Sequence, residues 1–405
     1  MSEVTNIFGG TSESRSGADL YVQQFAVPFS YPVYFTESVF HPDNTVFVEA
    51  LSRLDSDRCH RIVVFIDEGV AAAWDDLSDN IGRYAERHAE SLNLVAPPEV
   101  IPGGETVKTD PAIVERLQHR MAELGIDRHS YVIAIGGGAL LDMVGYVAAT
   151  CHRGLRLVRL PTSVLGQNDS GVGVKTGINA YGLKNFLGSF APPFAVINDQ
   201  AFLATLSQRD RRAGMAEAVK VALIRDGAFF AALEANADAL AAFDKTAVAQ
   251  MVRRCAEIHM HQIAYGGDPF ETGSARPLDF GHWAAHKLES LTEHAVRHGE
   301  AVAIGIALDS RYSVLQGLLD EGHDERVCDL LERLGFELWH PALETRTVDG
   351  NLTILAGLQE FREHLGGALS ITMLTGIGTC LEVNEMDDAV IRDCLAWLKG
   401  RKRTP

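Results

Sequence analysis

One segment limits the fold of this chain more than any other. Residues 130–151 read SYVIAIGGGALLDMVGYVAATC, an apolar run with strand character, then three glycines, then an apolar stretch with helical spacing. An amphipathic helix is predicted at 112–126 and closes at Gly125. The other strand-like segments are 31–40, 61–70, 156–163 and 194–200. Strands that alternate with helices predict a parallel sheet covered on both faces.

After about residue 200 the pattern changes, because β-branched runs become rare and helical spacing prevails. The chain has 405 residues, which is more than a single hydrophobic core usually serves. We therefore expect an α/β plus α fold, with a Rossmann-like parallel-sheet domain at residues 1–200 and a mainly helical domain at 201–405. Ligands usually bind in the cleft between two such domains.

Composition and charge exclude several classes of protein. Hydrophobic residues make up 46% of the chain and charged residues 22%, which is ordinary for a globular protein. The net charge of -18 and the lack of a long basic run argue against a nucleic-acid partner. The N-terminus has no signal pattern and no apolar run approaches a membrane span. Six scattered cysteines without a C-x-x-C pair indicate reduced thiols. We expect a cytoplasmic protein without a membrane partner, beginning with a disordered lead-in over about residues 1–20.

The glycines Gly136, Gly137 and Gly138 stand where the strand passes into the helix. Without side chains they let a pyrophosphate approach the backbone, and the helix N-terminus adds free N–H donors. Asp142 follows one turn into that helix, and a second glycine-rich turn at 102–108 carries a glutamate and a lysine. The spacing is not the G-x-G-x-x-G fingerprint. A tight turn therefore explains the glycines about as well as a nucleotide site does.

A polar stretch rich in glycine occupies residues 165–190. Lysines among glycines that permit close approach suit a phosphorylated ligand. Because apolar segments bound the stretch, we expect it to lie against the core rather than to form a solvated loop. Its polar side chains, with those just before it, include Thr162, Ser163, Asp169, Lys175, Lys184 and Asn185.

A candidate metal site comes from the helical half. Glu217 and Lys220 share one face of an otherwise apolar helix, where a charged side chain is rarely tolerated unless it is paired or bound. His282 and His286 are four residues apart, and His298 stands at a helix start. A carboxylate with two histidines is the ligand set of a catalytic zinc site. Spacing leaves three further histidines open as alternatives, which are His259, His261 and His294.

Six motifs follow one another in the chain: AIGGGALLDMVGYVAAT, RGLRLVRLPTSVLGQNDSGVGVKTGIN, KNFLGSF, RAGMAEAVK, FGHWAAHKLE and RHGEAVAIG. Through them, from about residue 60 to 380, the chain resembles the dehydroquinate-synthase-like sugar phosphate cyclases. The resemblance implies a bound NAD, a catalytic divalent metal (zinc or cobalt), a sugar phosphate substrate and a homodimer.

The resemblance also implies roles for individual residues. The metal ligands would be Glu217, His282 and His298. The substrate positions would be Asp169, Lys175, Asn185, Lys220, Asp279, His286 and His364, with Arg153 reaching the phosphate across a dimer interface. The nucleotide positions would be Glu105, Lys108, Gly136, Gly137, Gly138, Asp142, Thr162 and Lys184. We count Asp67, at the end of a predicted strand, and Ser163, beside Thr162, as further candidates for cofactor binding.

In enzymes of this kind NAD⁺ oxidises one hydroxyl of a seven-carbon sugar phosphate, and the ketone acidifies the neighbouring C–H so that phosphate leaves. NADH then restores the alcohol, and ring opening with an aldol step closes a carbocycle. NAD returns unchanged, so the net reaction is that of a lyase.

The chain departs from the dehydroquinate synthases at the positions that bind the substrate carboxylate. Asp279 stands where those enzymes have asparagine, Arg276 is one residue out of register, and His261 takes the place of a lysine. His364 lies near where they carry a lysine pair. Added negative charge and lost positive charge disfavour a buried carboxylate. The pattern resembles the branch that cyclises sedoheptulose 7-phosphate to a valiolone-type cyclitol. We therefore favour sedoheptulose 7-phosphate as the substrate.

Four alternatives remain at this stage. Arg276 keeps 3-dehydroquinate synthase open, because a small backbone shift would restore a carboxylate contact. A metal-dependent alcohol dehydrogenase would share the fold but accumulate NADH. A non-catalytic NAD-binding scaffold is disfavoured, because the three metal positions and the lysines are all present. The last alternative is a cyclase of another sugar phosphate.

Overall fold

The central feature of the fold is a parallel sheet, seen in a computed structural model that describes residues 23–270, 277–364 and 369–401. The strands are β1 (Val33–Thr36), β2 (His60–Asp67), β3 (Leu92–Leu94), β4 (Glu99–Ile101), β5 (Tyr131–Gly136), β6 (Arg156–Pro161), β7 (Lys175–Ala180), β8 (Leu183–Phe190), β9 (Ala195–Asp199), β10 (Ile371–Gly376) and β11 (Thr379–Val383). The sheet has seven of these strands in the order β1, β9, β6, β5, β2, β3, with β4 also paired to β2.

Helices cover the sheet and make up most of the second half of the chain. They are α1 (Val46–Ser52), α2 (Glu68–Ala73), α3 (Leu77–Arg87), α4 (Pro111–Glu123), α5 (Gly138–Thr150), α6 (Gln208–Arg225), α7 (Gly227–Ala235), α8 (Ala237–Ala241), α9 (Lys245–Tyr265), α10 (His282–Leu291), α11 (His298–Leu315), α12 (His323–Arg333), α13 (Ala356–His364) and α14 (Asp388–Arg401). None of them is long and apolar enough to cross a membrane.

Alternate residues of the inner strands pack against helices on opposite faces of the sheet. Val64 of β2 belongs to an apolar cluster with Ile81 of α3. Its neighbour Phe65 belongs to a second cluster with Leu117 of α4 and Val144 of α5. Strand β5 is buried at all six residues, as expected of a parallel strand with both faces covered. The predicted α/β plus α fold class is confirmed.

Two antiparallel hairpins were not predicted. β10 pairs with β11 within the helical half, and β7 pairs with β8 in the polar stretch. The expectation that residues 165–190 lie against the core is right for the first part, where Val172 and Ile178 are buried. It is wrong for β8, which is exposed at every residue because among the described strands it pairs only with β7.

The predicted domain bounds, 1–200 and 201–405, stay a prediction. The last strand of the parallel sheet ends at Asp199, and α6 begins at Gln208. The predicted strand at 31–40 is shorter in the structure, where β1 covers Val33–Thr36.

Glycines allow three helices of the second half to approach one another closely. A Cβ on Gly305 of α11 would lie 1.9 Å from the carbonyl oxygen of Gly281, the residue that precedes α10. A Cβ on Gly299, at the start of α11, would lie 2.2 Å from the carbonyl oxygen of Ala213 in α6. Gly281 itself has a φ of +79°, which favours glycine. The starts of α10 and α11 are therefore held at backbone contact distance from their neighbours.

A buried carboxylate reinforces the same crossing. Asp309 of α11 accepts hydrogen bonds from the Gly281 backbone N–H at 3.1 Å and from Trp283 Nε1 at 2.9 Å. Burial raises the pKa of Asp309 to about 7, although both of these donors favour its ionised form. The contacts fix the first turn of α10, where His282 lies.

We predict that Gly305→Ala lowers the free energy of unfolding by roughly 1–3 kcal/mol, because the new methyl group forces α10 and α11 apart. The matched control is Gly82→Ala in α3, where a Cβ would meet nothing within 4 Å. That change should stabilise the protein by up to about 1 kcal/mol, since alanine favours a helix. Urea unfolding followed by circular dichroism measures both, and equal effects would contradict the close-packing argument.

Candidate active site

Three side chains from three helices meet at the centre of the helical half. Glu217 from α6, His282 from α10 and His298 from α11 each offer a ligand atom, and these atoms all lie within 4.8 Å of one another. Glu217 Oε1 is 3.3 Å from His298 Nε2 and 3.7 Å from His282 Nε2. Neither Glu217 oxygen has a hydrogen bond of ordinary geometry among the described residues, although both are buried. Two imidazole nitrogens and a carboxylate fit a divalent metal well.

The Glu217 carboxylate is held ionised by its neighbours. Lys220, one turn further along α6, is 3% exposed and makes an ion pair with Glu217 Oε2. Burial alone would raise the pKa of Glu217, but Lys220, His298 and His282 outweigh it and lower the pKa well below its usual value. Glu217 in turn raises the pKa of Lys220 against the effect of burial. Both groups are therefore charged inside the protein.

In both His282 and His298, the Nδ1 atom lies at hydrogen-bond distance from a protein oxygen. His298 Nδ1 lies 2.6 Å from Glu289 Oε1, and His282 Nδ1 lies 3.0 Å from the Phe280 carbonyl oxygen. Lys184 from the β7–β8 hairpin donates to the other oxygen of Glu289 at 3.1 Å. Burial would raise the pKa of Glu289, but the hydrogen bond with His298 and the charge of Lys184 lower it. In each histidine the Nε2 atom is thus the one left for a ligand.

Basic side chains lie near Asp279, which ends a short 3₁₀ turn at Pro277–Asp279. Burial would raise the pKa of Asp279, but the charges of His282, Lys175, Lys220 and His286 lower it. The carboxylate therefore stays ionised and accepts hydrogen bonds.

His286 lies one turn further along α10 than His282. Its ring centre is 5.4 Å from that of His282 and 6.1 Å from that of His298. Its side chain keeps contact with solvent, which places an imidazole on the open side of the three converging residues.

Asp169 lies on a π-helical turn at Gly166–Ser170. Its Oδ1 is 2.9 Å from Nδ1 of His259 in α9. Burial would raise the pKa of Asp169, but the charge of His259 outweighs it and the pKa is lowered. His259, an open alternative for the metal site, is therefore paired with a carboxylate outside the group of three.

A fully buried arginine holds the loop that connects Asp169 to Lys175. Arg159 of β6 is 0% exposed and donates Nη1 to the carbonyl oxygen of Gly173 at 2.8 Å. Its Nη2 donates to the carbonyl oxygen of Lys175 at 2.9 Å. Burial lowers the pKa of Arg159, which nearby Asp142 partly offsets. The loop is thus anchored by its backbone rather than by its side chains.

The glycine turn lies at the carboxyl ends of β2 and β5. A Cβ on Gly136 would lie 2.9 Å from the Asp67 Cβ, and one on Gly138 would lie 2.8 Å from Ser170 Oγ. A Cβ on Gly137, the residue that precedes α5, would meet nothing within 4 Å. Asp67 Oδ1 accepts from the Gly69 N–H at 2.8 Å and so caps α2. Close backbone approach beside a helix N-terminus fits a nucleotide phosphate.

A second polar group joins this turn to the hairpin. Lys108 Nζ donates to Asp142 Oδ2 at 2.8 Å and also contacts Asn185 Oδ1. Glu105 Oε1 lies 4.0 Å from the same Nζ atom. Thr162 is buried, and its backbone N–H donates to the carbonyl oxygen of Gly136 at 3.0 Å. The next residue, Ser163, accepts a hydrogen bond at Oγ from the Gly166 N–H at 3.1 Å.

Other predicted residues are exposed or lie outside the described residues. Arg153 is exposed and has a φ of +63°, an unusual backbone conformation for arginine. His261 is exposed and its ring lies 4.8 Å from that of Tyr265, and His294 is exposed as well. Arg276 and the side chain of His364 lie outside the described residues.

Two residues whose observed contacts were not predicted belong to the site. Glu289 was overlooked, although its spacing of seven from His282 puts both on one helix face. The partner of Asp169, His259, was considered only as a metal ligand. The roles assigned to the individual site residues stay predictions.

Comparison with known proteins identifies the family. The protein-family model of the 3-dehydroquinate synthase N-terminal region matches residues 99–213 of this chain. The family model of the C-terminal region matches residues 214–354. A 2-epi-5-epi-valiolone synthase of Streptomyces glaucescens is 34% identical over 98% of this chain and 97% of its own length. A 3-dehydroquinate synthase of Halorhodospira halophila is 35% identical over 90% of this chain and 96% of its own.

A solved structure agrees with this result. The 2-epi-5-epi-valiolone synthase ValA of Streptomyces hygroscopicus subsp. jinggangensis, with NAD⁺ and Zn²⁺ bound, matches with a TM-score of 0.80 at 29% identity. The match covers 94% of this chain and 100% of that one. The resemblance inferred from the six motifs is confirmed. The chain belongs to the 3-dehydroquinate synthase superfamily of sugar phosphate cyclases, which are phosphate-eliminating lyases.

Proposed function

We propose that this enzyme uses NAD and a divalent metal, zinc or cobalt, to cyclise sedoheptulose 7-phosphate to a valiolone-type cyclitol with release of phosphate. The observation that supports this substrate is Asp279, a half-buried carboxylate whose basic neighbours, Lys220 and His286 among them, lower its pKa and keep it ionised. A second anion beside it would be repelled, whereas a hydroxyl would donate a hydrogen bond. The likeness to the S. glaucescens valiolone synthase, over 98% of the chain, supports the same substrate.

The residues present fit both cofactors. Glu217, His282 and His298 would hold the metal, and the glycine turn before α5 would receive the NAD phosphates. When bound, NAD⁺ supplies a hydride acceptor and the metal supplies a Lewis acid. The chain itself supplies charge and orientation around them.

Each remaining side chain has a role that its neighbours support. Lys220, with its charge secured by Glu217, would donate hydrogen bonds to a substrate hydroxyl next to the metal. Asp169, kept ionised by His259, would accept a hydrogen bond from another hydroxyl of the substrate. His286 and Lys175 would bind the phosphate, and the phosphate oxygens would take the proton that is lost at the neighbouring carbon.

3-Dehydroquinate synthase is the second candidate, and the H. halophila relative is the observation that favours it. Its identity of 35% is as high as that of the valiolone synthase, so overall likeness does not separate the two substrates.

Free thiols at all six cysteines support the expectation of a reducing, cytoplasmic setting, which stays a prediction.

The substrate is tested by phosphate release from metal-loaded protein with NAD⁺. We expect release from sedoheptulose 7-phosphate and little from the seven-carbon keto-acid phosphate of dehydroquinate synthases. Asp279→Asn with His261→Lys should raise release from the keto acid by roughly tenfold or more, since it restores the charge pattern that binds a carboxylate. Release from the keto acid alone by the unaltered enzyme would overturn the proposal in favour of the second candidate.

The metal ligands are tested by Glu217→Gln. We expect Zn²⁺ bound per chain to fall from about one to near zero and turnover to be lost, because the neutral amide is a poor ligand. Metal analysis and circular dichroism measure metal content and fold separately. Glu360→Gln, on an exposed carboxylate of α13, is the control that should keep both metal and activity. Full metal content in Glu217→Gln would remove the assignment.

We also propose a homodimer in which Arg153 acts in the neighbouring site. Its exposed position supports this, as do the exposed apolar side chains of the β7–β8 hairpin, Tyr181, Leu183 and Phe186. Arg153→Ala and Glu217→Gln should each be inactive alone. Mixed by unfolding and refolding together, they should regain about a quarter of wild-type activity, since half the dimers hold one intact site. No recovery, or an active monomer in sedimentation, would contradict the arrangement.

A further inference from the structure

Glu289 lies directly behind the candidate metal ligand His298. It is 3% exposed, and it stands two helical turns after His282 on α10. Its Oε1 is 2.6 Å from His298 Nδ1, and its Oε2 accepts from Lys184 Nζ at 3.1 Å. Each oxygen of this carboxylate is therefore engaged by a different element of the fold.

The contact with Nδ1 decides which nitrogen of His298 can bind a metal. A carboxylate accepts but does not donate, so the proton that the imidazole keeps when a metal binds is the one on Nδ1. The lone pair is then on Nε2, the atom that lies 3.3 Å from Glu217 Oε1. A buried carboxylate behind a histidine ligand orients the ring and makes it a stronger ligand.

The contact with Lys184 links the metal side of the site to an otherwise exposed hairpin. Lys184 is the second residue of β8, and every residue of that strand is exposed. The next residue, Asn185, contacts Lys108, whose Nζ also binds Asp142 in the helix that follows the glycine turn. The hairpin thus contacts both the residues near the glycine turn and the residue behind His298.

We propose that Glu289 is a positioning residue that orients His298 for the metal, and that Lys184 holds it so that metal affinity depends on the hairpin. The proposal rests on the metal site proposed above. The salt bridge between Lys184 and Glu289 is the physical link, since removing the lysine frees the carboxylate to turn away from His298.

The test is the affinity of the full chain for Zn²⁺, measured by competition with a chromogenic chelator. Glu289→Met should weaken Zn²⁺ binding by roughly 10–100-fold, and Glu289→Gln, which keeps an acceptor, should weaken it less. Lys184→Met should also weaken binding, and adding it to Glu289→Met should have no further effect, because both act through one contact. If Glu289→Met does not fold, Glu289→Gln and Lys184→Met carry the test. In addition, turnover by the two Glu289 variants should recover as Zn²⁺ is raised.

The matched control is Lys287→Met, which removes a second ion pair of α10, that of Lys287 with Glu360, and should leave Zn²⁺ affinity unchanged. Wild-type Zn²⁺ affinity in both Glu289 variants, with binding lost in Glu217→Gln, would overturn the role of Glu289. Additive effects of Lys184→Met and Glu289→Met would overturn the link to the hairpin. Unchanged Zn²⁺ binding in Glu217→Gln would instead mean that the proposed metal site itself is wrong.

Discussion

The rest of this site depends on one buried carboxylate. Glu217 is 0% exposed within a helix whose other buried residues are mostly apolar, and an isolated charge in such a place costs several kcal/mol. Lys220 from the same helix and two histidines from α10 and α11 compensate it. The three helices must therefore meet closely, which the glycines at 281, 299 and 305 permit. Charge compensation and helix packing are thus one requirement in this protein.

Much of this could be predicted from local pattern. The strand, glycine turn and helix at 130–151 predicted the parallel sheet, and the unusual charge at Glu217 pointed to the centre of the site. Contacts between distant parts of the chain could not be predicted. Lys184 and Glu289 are 105 residues apart, so no local pattern indicates that their side chains meet. The exposure of β8 was missed for the same reason, since it depends on which strands pair.

The substrate raises a different question, because relatives with two different activities match the chain at 34% and 35% identity. Overall identity therefore does not separate the two activities. Under the proposed function, the choice between a carboxylate and a hydroxyl falls to the charge of a few side chains, among which Asp279 has four basic neighbours that lower its pKa. A small change in charge at such a position alters chemistry without altering architecture.

The anchoring of the loop after Asp169 by Arg159 has a consequence for how such a site evolves. Its guanidinium binds the carbonyl oxygens of Gly173 and Lys175 rather than side chains. Every residue type carries a carbonyl oxygen, so substitutions along this loop leave the anchor intact. A lineage can therefore exchange the side chains that face the ligand while the path of the backbone is inherited unchanged.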